Sequence, residues 1–384
     1  MPRDSQDGLE WKDGLFSAVP HWTRELSIPA IENVCRQQLN IPSGDICPPV
    51  PNVIAFDDSN NNEIGFEWIL MELMPGFPAY KKWRTMSMEQ KVAITKCIAE
   101  IQAELFCYGN SAFKGIGTLH MSIPGESHVS TTGPLTSYEF FIGNRLKYDV
   151  PRGPFRCSYD WLESQLKIIM LEQTTNFEKA EDDDDKEDAT EIILLAERLL
   201  SLLPKVFLSA EEADTEPTVL WHDDPNLNII LVDEKGEITA IIDWETVSAL
   251  PIWMTTDVPK FLQSESRLEE PKRDDYSDET PEENEENEEN ERDLDHLDNE
   301  GKDSLYWIHR MDYEATQLRE VYKTRLRQLW PDWPLQDSHI KLDFYMAVLR
   351  CSAGIFVKLT NIWIDHVERG DVIRLADVKK PNRG

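Results

Sequence analysis

The sequence is short of positive charge. Its 384 residues hold 39 Lys and Arg against 72 Asp and Glu, a net charge of −33. Proteins that grip a phosphate backbone or an anionic membrane need patches of Lys and Arg, so nucleic acid and membrane lipid are not expected as partners. Long apolar runs are also missing. No stretch of about 18 apolar residues occurs, so no membrane-spanning helix is expected. The opening MPRDSQDGLEWKDG lacks the apolar centre of a signal peptide. The six cysteines (35, 47, 97, 107, 157 and 351) form no CxxC pair and no compact framework. The last two absences point to free thiols in a reducing compartment and to a cytoplasmic protein.

What is present suffices for a core. Hydrophobic residues make up 40% of the chain, with 12 Trp, 14 Phe and 10 Tyr. The length allows one large or two modest domains. The acidic charge is concentrated in two runs. Residues 178–188 (EKAEDDDDKED) carry a net −6, and residues 264–303 carry a net −14. The second run is low-complexity and nearly free of apolar side chains. It cannot offset its ordering entropy and is expected to be a disordered insert. The first is expected to be a solvated loop before a helix. Both serve as solubilising segments or as a docking tail for a basic protein partner.

Periodicity supplies a coarse map. Residues 28–39 read as a short helix. Residues 50–56 (VPNVIAF) and 66–73 (FEWILMEL) read as strands joined by a polar turn. Ser87 caps a helix running to Phe106, with Ile94, Ile98, Ile101 and Leu105 on one face. Residues 159–172 and 189–203 are further helices. So are a long amphipathic helix marked by Ile308, Met311, Ala315, Leu318, Tyr322 and Leu329, and another over 340–364. Within this helical part, NIILVD (228–233), EKG and ITAIID (238–243) read as strand, turn and strand, a β-hairpin.

The chemistry sits at that hairpin. Leu220-Trp221-His222-Asp223-Asp224-Pro225-Asn226-Leu227-Asn228 leads into its first strand, and Asp243-Trp244-Glu245 ends its second. A hairpin brings its outer ends together, so Asp224 and Asp243 are expected to be neighbours. Two clustered carboxylates suit a divalent metal and a positioned base. Phosphoryl transfer uses that pairing, one Asp orienting the attacking hydroxyl and another holding Mg²⁺ on the nucleotide phosphates. Trp244 and Trp253 read as packing residues. Glu245 is either a solvated strand-end charge or part of the site.

The chain resembles the fungal branch of the aminoglycoside phosphotransferase family, which is similar to choline kinases and distantly to protein kinases. NEIGFEWILMELMPG (62–76), FKGIGTL (113–119), RGPF (152–155), LWHDDPNLNIILVDEKGEITAIIDWETVSALPIW (220–253) and PKFL (259–262) carry the resemblance, in the family's order. The resemblance implies an α+β, protein-kinase-like fold. A small, incomplete β-containing N-terminal lobe with its hinge would span residues 1–74. A large, mostly helical C-terminal lobe over 75–365 would hold the catalytic hairpin and the acidic insert, followed by a tail at 366–384. It also implies ATP and Mg²⁺ as cofactors and a small-molecule hydroxyl as acceptor. By position, Asp224 matches the catalytic base and His222 the residue that shapes the catalytic loop. Asp243 matches the metal-binding Asp. Ile69, Leu70, Met71, Glu72, Leu73 and Met74 match the strand and hinge that cradle adenine.

Two departures stand beside these matches. The family's metal-ligand Asn lies five positions after the base, where this chain has Ile229, whose side chain has no oxygen to offer. Asn228 is the neighbouring candidate, and a register shift at Pro225 would bring it into place. In addition, no lysine lies between Lys12 and Lys81, and the glycines before the hinge (8, 14, 44 and 65) form no phosphate loop. Two or three strands and a helix, roughly 40 residues at ordinary element lengths, are read as absent near residues 43–47. Three function classes remain open: an ATP-dependent phosphotransferase acting on a small-molecule hydroxyl, a degenerate ligand-binding member, and an acidic interaction scaffold.

Overall fold

A computed structural model describes residues 9–13, 18–22, 50–112, 115–120, 131–209, 215–222, 224–244, 247–278, 300–331 and 339–378. The helix expected at 28–39, the junction at 43–47, Glu245 and most of the low-complexity run at 279–299 lie outside these residues. The α+β class expected from the sequence holds, with antiparallel sheets of two to four strands set among helices.

The first sheet pairs β1 (Leu9–Asp13) with β2 (Ala18–Trp22), and Lys12 lies on β1. The expected strand pair is present as β3 (Val53–Asp57) and β4 (Trp68–Met71). The Asn62 side chain ties the polar turn between them, its amide donating to the carbonyls of Ser59 and Phe66. A bulge between Val53 and Ala55 shifts the side-chain alternation, as one extra residue in a strand must. Val53 and Phe56 therefore share an exposed face with their cross-strand partners Met71 and Ile69.

The chain then passes through Gly76 (φ +108°) into β5 (Phe77–Pro78). A Cβ at Gly76 would lie 2.5 Å from Thr239 Oγ1 and 2.7 Å from the Val232 carbonyl oxygen, so only glycine fits here. This close approach lets β5 pair with β9 (Ile230–Val232), whose other edge pairs with β10 (Ile238–Ile241). The predicted hairpin is thus real and gains a third strand. In its turn, Asp233 Oδ1 accepts the N–H groups of Lys235 and Glu237, and Gly236 takes φ +81°.

A four-stranded sheet was not expected. It runs β7 (Thr131–Thr132), β6 (Gly117–His120), β11 (Ser248–Pro251), β8 (Thr218–Trp221). Leu220 and Trp221, expected only as the lead into the hairpin, lie on β8. These strands are four residues or shorter, and β8 and β11 are largely buried, so they show no alternation to read.

The helices follow their sequence signals with longer ends. After α1 (Ala79–Trp83), α2 (Met88–Ala112) opens with a reciprocal cap. The Gln90 N–H donates to Ser87 Oγ, and the Ser87 N–H donates to Gln90 Oε1. A short α3 (Tyr138–Phe141) precedes α4 (Ser158–Lys179), which packs along α5 (Asp183–Val206). The first acidic run is not a loop. Asp182 caps α5 by accepting the Asp185 N–H, and Asp183, Asp184 and Asp185 form the first turn, where the helix dipole favours negative charge.

Three C-terminal helices close the core: α6 (Ser304–Leu329), α7 (His339–Arg350) and α8 (Gly354–Arg369). The single helix expected over 340–364 is broken at Cys351–Ala353. Of the predicted α6 stripe, Ala315, Leu318 and Tyr322 are buried, while Ile308 and Leu329 at its ends are exposed. The chain packs through residue 378. Trp363 Nε1 donates to the Ile373 carbonyl, Arg374 pairs with the buried Asp343, and Leu375 is buried.

The acidic insert is not disordered throughout. Residues 264–278 and 300–303 are ordered against α6. Tyr276 Oη lies 2.7 Å from His309 Nδ1 with its ring edge-on to Tyr306, and the Arg267 N–H donates to Thr316 Oγ1 at 2.9 Å. Asp278 pairs with Lys302 across the gap. A few aromatic and basic side chains within the run supply contacts that its mean composition hides.

Candidate active site

Strand β8 ends at Trp221 and delivers His222, which is 3% exposed. His222 Nδ1 accepts the Asp224 N–H at 3.3 Å, and the Trp244 ring stands edge-on to the imidazole at 5.3 Å. Trp244 is itself fixed by its Nε1–H to the Ile241 carbonyl, 2.7 Å. His222 therefore braces the bend in which Asp224 sits, and Trp244 packs, as read from the sequence.

Asp224 is half-buried. Its Oδ2 accepts from Asn226 Nδ2 at 3.1 Å, and its carbonyl accepts the Asn226 N–H at 2.8 Å. Asn226 Oδ1 in turn accepts the Asn228 N–H at 2.8 Å, an Asx turn that makes the loop self-supporting. Two distant elements pin the loop. The Phe261 N–H donates to the Pro225 carbonyl at 3.4 Å from the 3-10 turn Lys260–Leu262, and the Tyr80 N–H donates to the Leu227 carbonyl at 3.1 Å from α1. Asn226 is thus the group that orients the Asp224 carboxylate, where sequence reasoning gave it no definite role. The signal was the Asp-x-Asn-x-Asn spacing.

Beyond the loop, Ile229 is 6% exposed and belongs to the main core, while the Asn228 side chain is exposed. The Ile242 N–H donates to the Ile229 carbonyl at 3.0 Å, extending the hairpin ladder one step past the Ile241–Ile230 pair. Asp243 follows, so Asn228 precedes β9 and Asp243 follows β10, both just past the paired end of the hairpin. Asp243 is exposed and adopts φ +68°. A left-handed backbone is uncommon outside glycine and marks a position held by its surroundings.

The donor set suits a Mg²⁺ that depends on its nucleotide. Mg²⁺ commonly takes one or two carboxylates, with phosphates and waters filling the remaining positions. Asp243 offers an exposed carboxylate, and Asn228, just before β9, an exposed amide. Among the described residues no group of three or more His, Cys, Asp or Glu is arranged to hold a metal. Ile229 contributes nothing to such a site.

The segment that follows the hinge residues is tied to the hairpin. Thr239 Oγ1 donates to the Pro75 carbonyl at 2.6 Å, directly after Met74, and Phe77 pairs with Val232. Ile69, Met71 and Leu73 are exposed, and Leu70 and Met74 are half-buried. Glu72 donates its N–H to the Asn52 carbonyl and accepts from the Asn52 amide.

One cavity adjoins the loop, and a second lies against the neighbouring sheet. The first, of about 350 Å³, is lined by Asn226, Leu227 and Asn228 together with Trp83, Lys260 and Asp312. A larger one of about 560 Å³ is walled partly by Ser248 and Leu250 of β11, the strand paired with β8. None of residues 69–74 lines either cavity.

Comparison with known proteins adds the following. The profile of the Phosphotransferase enzyme family (APH) matches residues 37–257. Two subtelomeric hrmA-associated cluster proteins, from two strains of Aspergillus fumigatus, are each 27% identical over 258 residues, covering 57% of this chain and 50% of theirs. The chain therefore spans about half the length of the curated relatives it matches. Among solved structures, a Ralstonia eutropha protein assigned as an aminoglycoside phosphotransferase aligns at 14% identity and TM-score 0.33, covering 96% of this chain and 87% of that one. A Plasmodium vivax ethanolamine kinase aligns at 15% identity and TM-score 0.28, covering 95% and 85%.

Proposed function

Because the chain belongs to the phosphotransferase enzyme family, we propose that it transfers the γ-phosphate of ATP to a hydroxyl of a small molecule. Asp224 orients that hydroxyl and takes its proton. His222 holds the loop in shape. Asp243 holds Mg²⁺ with help from Asn228, and the strip Ile69–Met74 meets the adenine. Bound Mg²⁺ would neutralise the charge that builds on the transferring phosphate.

The observation that carries this reading is the fixed carboxylate of Asp224. It is held by Asn226 in a loop that His222, Phe261 and Tyr80 brace from three sides. A carboxylate decorating a turn needs no such support, whereas a base must be preorganised against its substrate.

One further observation favours a second reading. Ile229 lies in the core at the position where the family has its metal-ligand Asn. This favours a member that binds ligand and transfers weakly, with Mg-ATP affinity no tighter than roughly millimolar. The test is acceptor-dependent ADP release with Mg-ATP across a panel of hydroxyl compounds. The first reading expects turnover that Asp224→Asn lowers by about 10²–10⁴-fold, the usual share of a positioned base. If no compound elicits turnover, or turnover survives Asp224→Asn, that reading fails.

A further inference from the structure

The larger cavity has a lining unlike that of a general solvent cleft. Its volume of about 560 Å³ is within the ordinary range for a small-molecule site. Trp161, Tyr345, Tyr138 and Phe141 contribute aromatic surface from α4, α7 and α3, and Glu139 is its single carboxylate. Two polar atoms on residues that line this cavity are buried without a hydrogen-bond partner. They are the indole Nε1 of Trp161, a residue 2% exposed, and the hydroxyl of Ser137. A buried indole N–H left unpaired costs free energy, about 1–3 kcal/mol for a group of this kind. A ligand oxygen is a partner it could take. No ion pair joins the Glu139 carboxylate among the described residues, although its backbone carbonyl accepts from Arg145.

The cavity also has a defined place relative to Asp224. Its wall at Ser248 is the cross-strand neighbour of Trp221, three residues before Asp224. The Cα atoms of Ser248 and Asp224 are therefore at most about 17 Å apart, from one strand spacing and three Cα steps. A ligand seated there lies beside the strand that delivers the candidate base.

We propose that this cavity is the acceptor pocket of the transfer reaction above, and that it selects a compact aromatic alcohol or phenol carrying one ammonium group. The proposal rests on the phosphotransferase reading. Aromatic faces attract an organic cation and a flat ring alike. The single carboxylate balances one positive charge. The indole N–H takes a ligand oxygen. A polycationic amino sugar would leave its other ammonium groups desolvated against apolar walls, which is costly. In the reaction, the acceptor oxygen bonds to the γ-phosphorus, the bond from that phosphorus to ADP breaks, and the hydroxyl proton passes to Asp224 and then to solvent.

The test is calorimetric binding to the full chain without nucleotide, using tyramine, neutral 4-ethylphenol and polycationic kanamycin as probes. Tyramine is expected to bind at or below about millimolar and at least about tenfold tighter than kanamycin. Glu139→Gln should weaken tyramine about tenfold and leave 4-ethylphenol unchanged. Trp161→Phe should weaken both. If Trp161→Phe does not fold, the half-buried Glu139→Gln still decides the matter. Absence of tyramine binding at about 10 mM, tighter binding of kanamycin, or a Glu139→Gln variant that binds tyramine as well as the parent would each overturn the proposal. Because binding is read without ATP, tyramine binding with no ADP release from tyramine would sink this pocket's role as an acceptor site and leave only the binding preference, whereas the phosphotransferase reading falls only if no acceptor of the panel is turned over. Turnover of other acceptors with no tyramine binding would sink the pocket proposal alone.

Discussion

Lys91 provides the most direct test of how the core is held. Its side chain is 2% exposed on α2, and its Nζ lies 2.6 Å from Glu314 Oε2 on α6, itself buried. Arg310 Nε approaches the other Glu314 oxygen at 3.3 Å from a half-exposed position, and the Lys91 ammonium also stands 5.5 Å from the Trp83 ring centre. Burial holds the Lys91 pKa below its ordinary value, with the Glu314 carboxylate opposing that shift. Lys91→Met keeps most of the apolar stem and removes the charge. Breaking a buried pair by deleting one partner typically costs about 3–5 kcal/mol, because the other charge is left uncompensated. Arg310 remains beside Glu314, which puts the electrostatic part near about 3 kcal/mol. The lost contact with Trp83 adds about 1 kcal/mol.

The pair itself is a different matter. Two desolvated charges can be worth no more than a well-packed apolar pair of the same shape. Lys91→Met/Glu314→Leu is therefore expected to lie within about 1 kcal/mol of the parent, since Arg310 can turn to solvent and to Glu270, 3.4 Å away. Urea titration at neutral pH, followed by tryptophan fluorescence, gives the three stabilities. The expected order is parent and double variant together, with Lys91→Met about 3–4 kcal/mol below. A single variant within about 1 kcal/mol of the parent, or a double variant no more stable than the single, would refute the reasoning. The effect reaches the candidate site because Trp83 stands edge-on to Phe261, whose N–H holds the Pro225 carbonyl.

Other outcomes follow from single features. Replacing 279–299 with a short Gly-Ser link should change stability by no more than about 0.5 kcal/mol, because Asp278 and Lys302 already pair across it, whereas removing 267–303 should cost clearly more through Tyr276 and Arg267. The same urea midpoints separate the two deletions, and equal loss would contradict the ordered docking. Ile229→Asn should cost about 2–4 kcal/mol by placing an amide in the core and should not tighten Mg-ATP binding, as calorimetry would report. Alkaline pH should destabilise the fold. Burial pushes the Cys351 thiol from 9.0 up to about 12 and raises the Tyr322 hydroxyl in the same direction. For Cys351 the folded chain then binds more protons than the unfolded one between pH 9.0 and about 12, and for Tyr322 only from pH 10.0 upward, so stability falls by about 1.4 kcal/mol per pH unit for each group within its own window. The penalty is absent below pH 9, and Cys351→Ala should make the fall shallower in urea titrations at stepped pH.

The parts of this molecule that local pattern encodes were legible. The hairpin could be read because strand, turn and strand fall within one short run, and the Asp233-to-Gly236 turn chemistry is carried by those residues themselves. The Ser87–Gln90 cap on α2 is another such case. Strands β6, β8 and β11 were not legible. Their partners lie far along the chain, and being short and largely buried they have no solvent face to set a period. The acidic run at 178–188 misled for a related reason. Composition reports solvation, but position relative to the helix decides whether a carboxylate is a loop residue or a cap, and Asp182 is a cap.

The same division runs through the candidate site. Residue type and spacing single out Asp224 and Asp243 as candidates, and the family resemblance adds His222. What holds Asp224 could not be read, because Phe261 and Tyr80 reach the loop only through the tertiary fold. Ile229 shows where the two kinds of information meet. Neighbouring residues entering a strand present opposite sides, so one of Asn228 and Ile229 must turn to the core. The aliphatic side chain takes that place, at 6% exposure, and the amide stays outside. Pro225 does not shift the register to exchange them. The placement of Ile229 is therefore part of the packing, since an amide there would set its hydration against the core that Ile229 now fills.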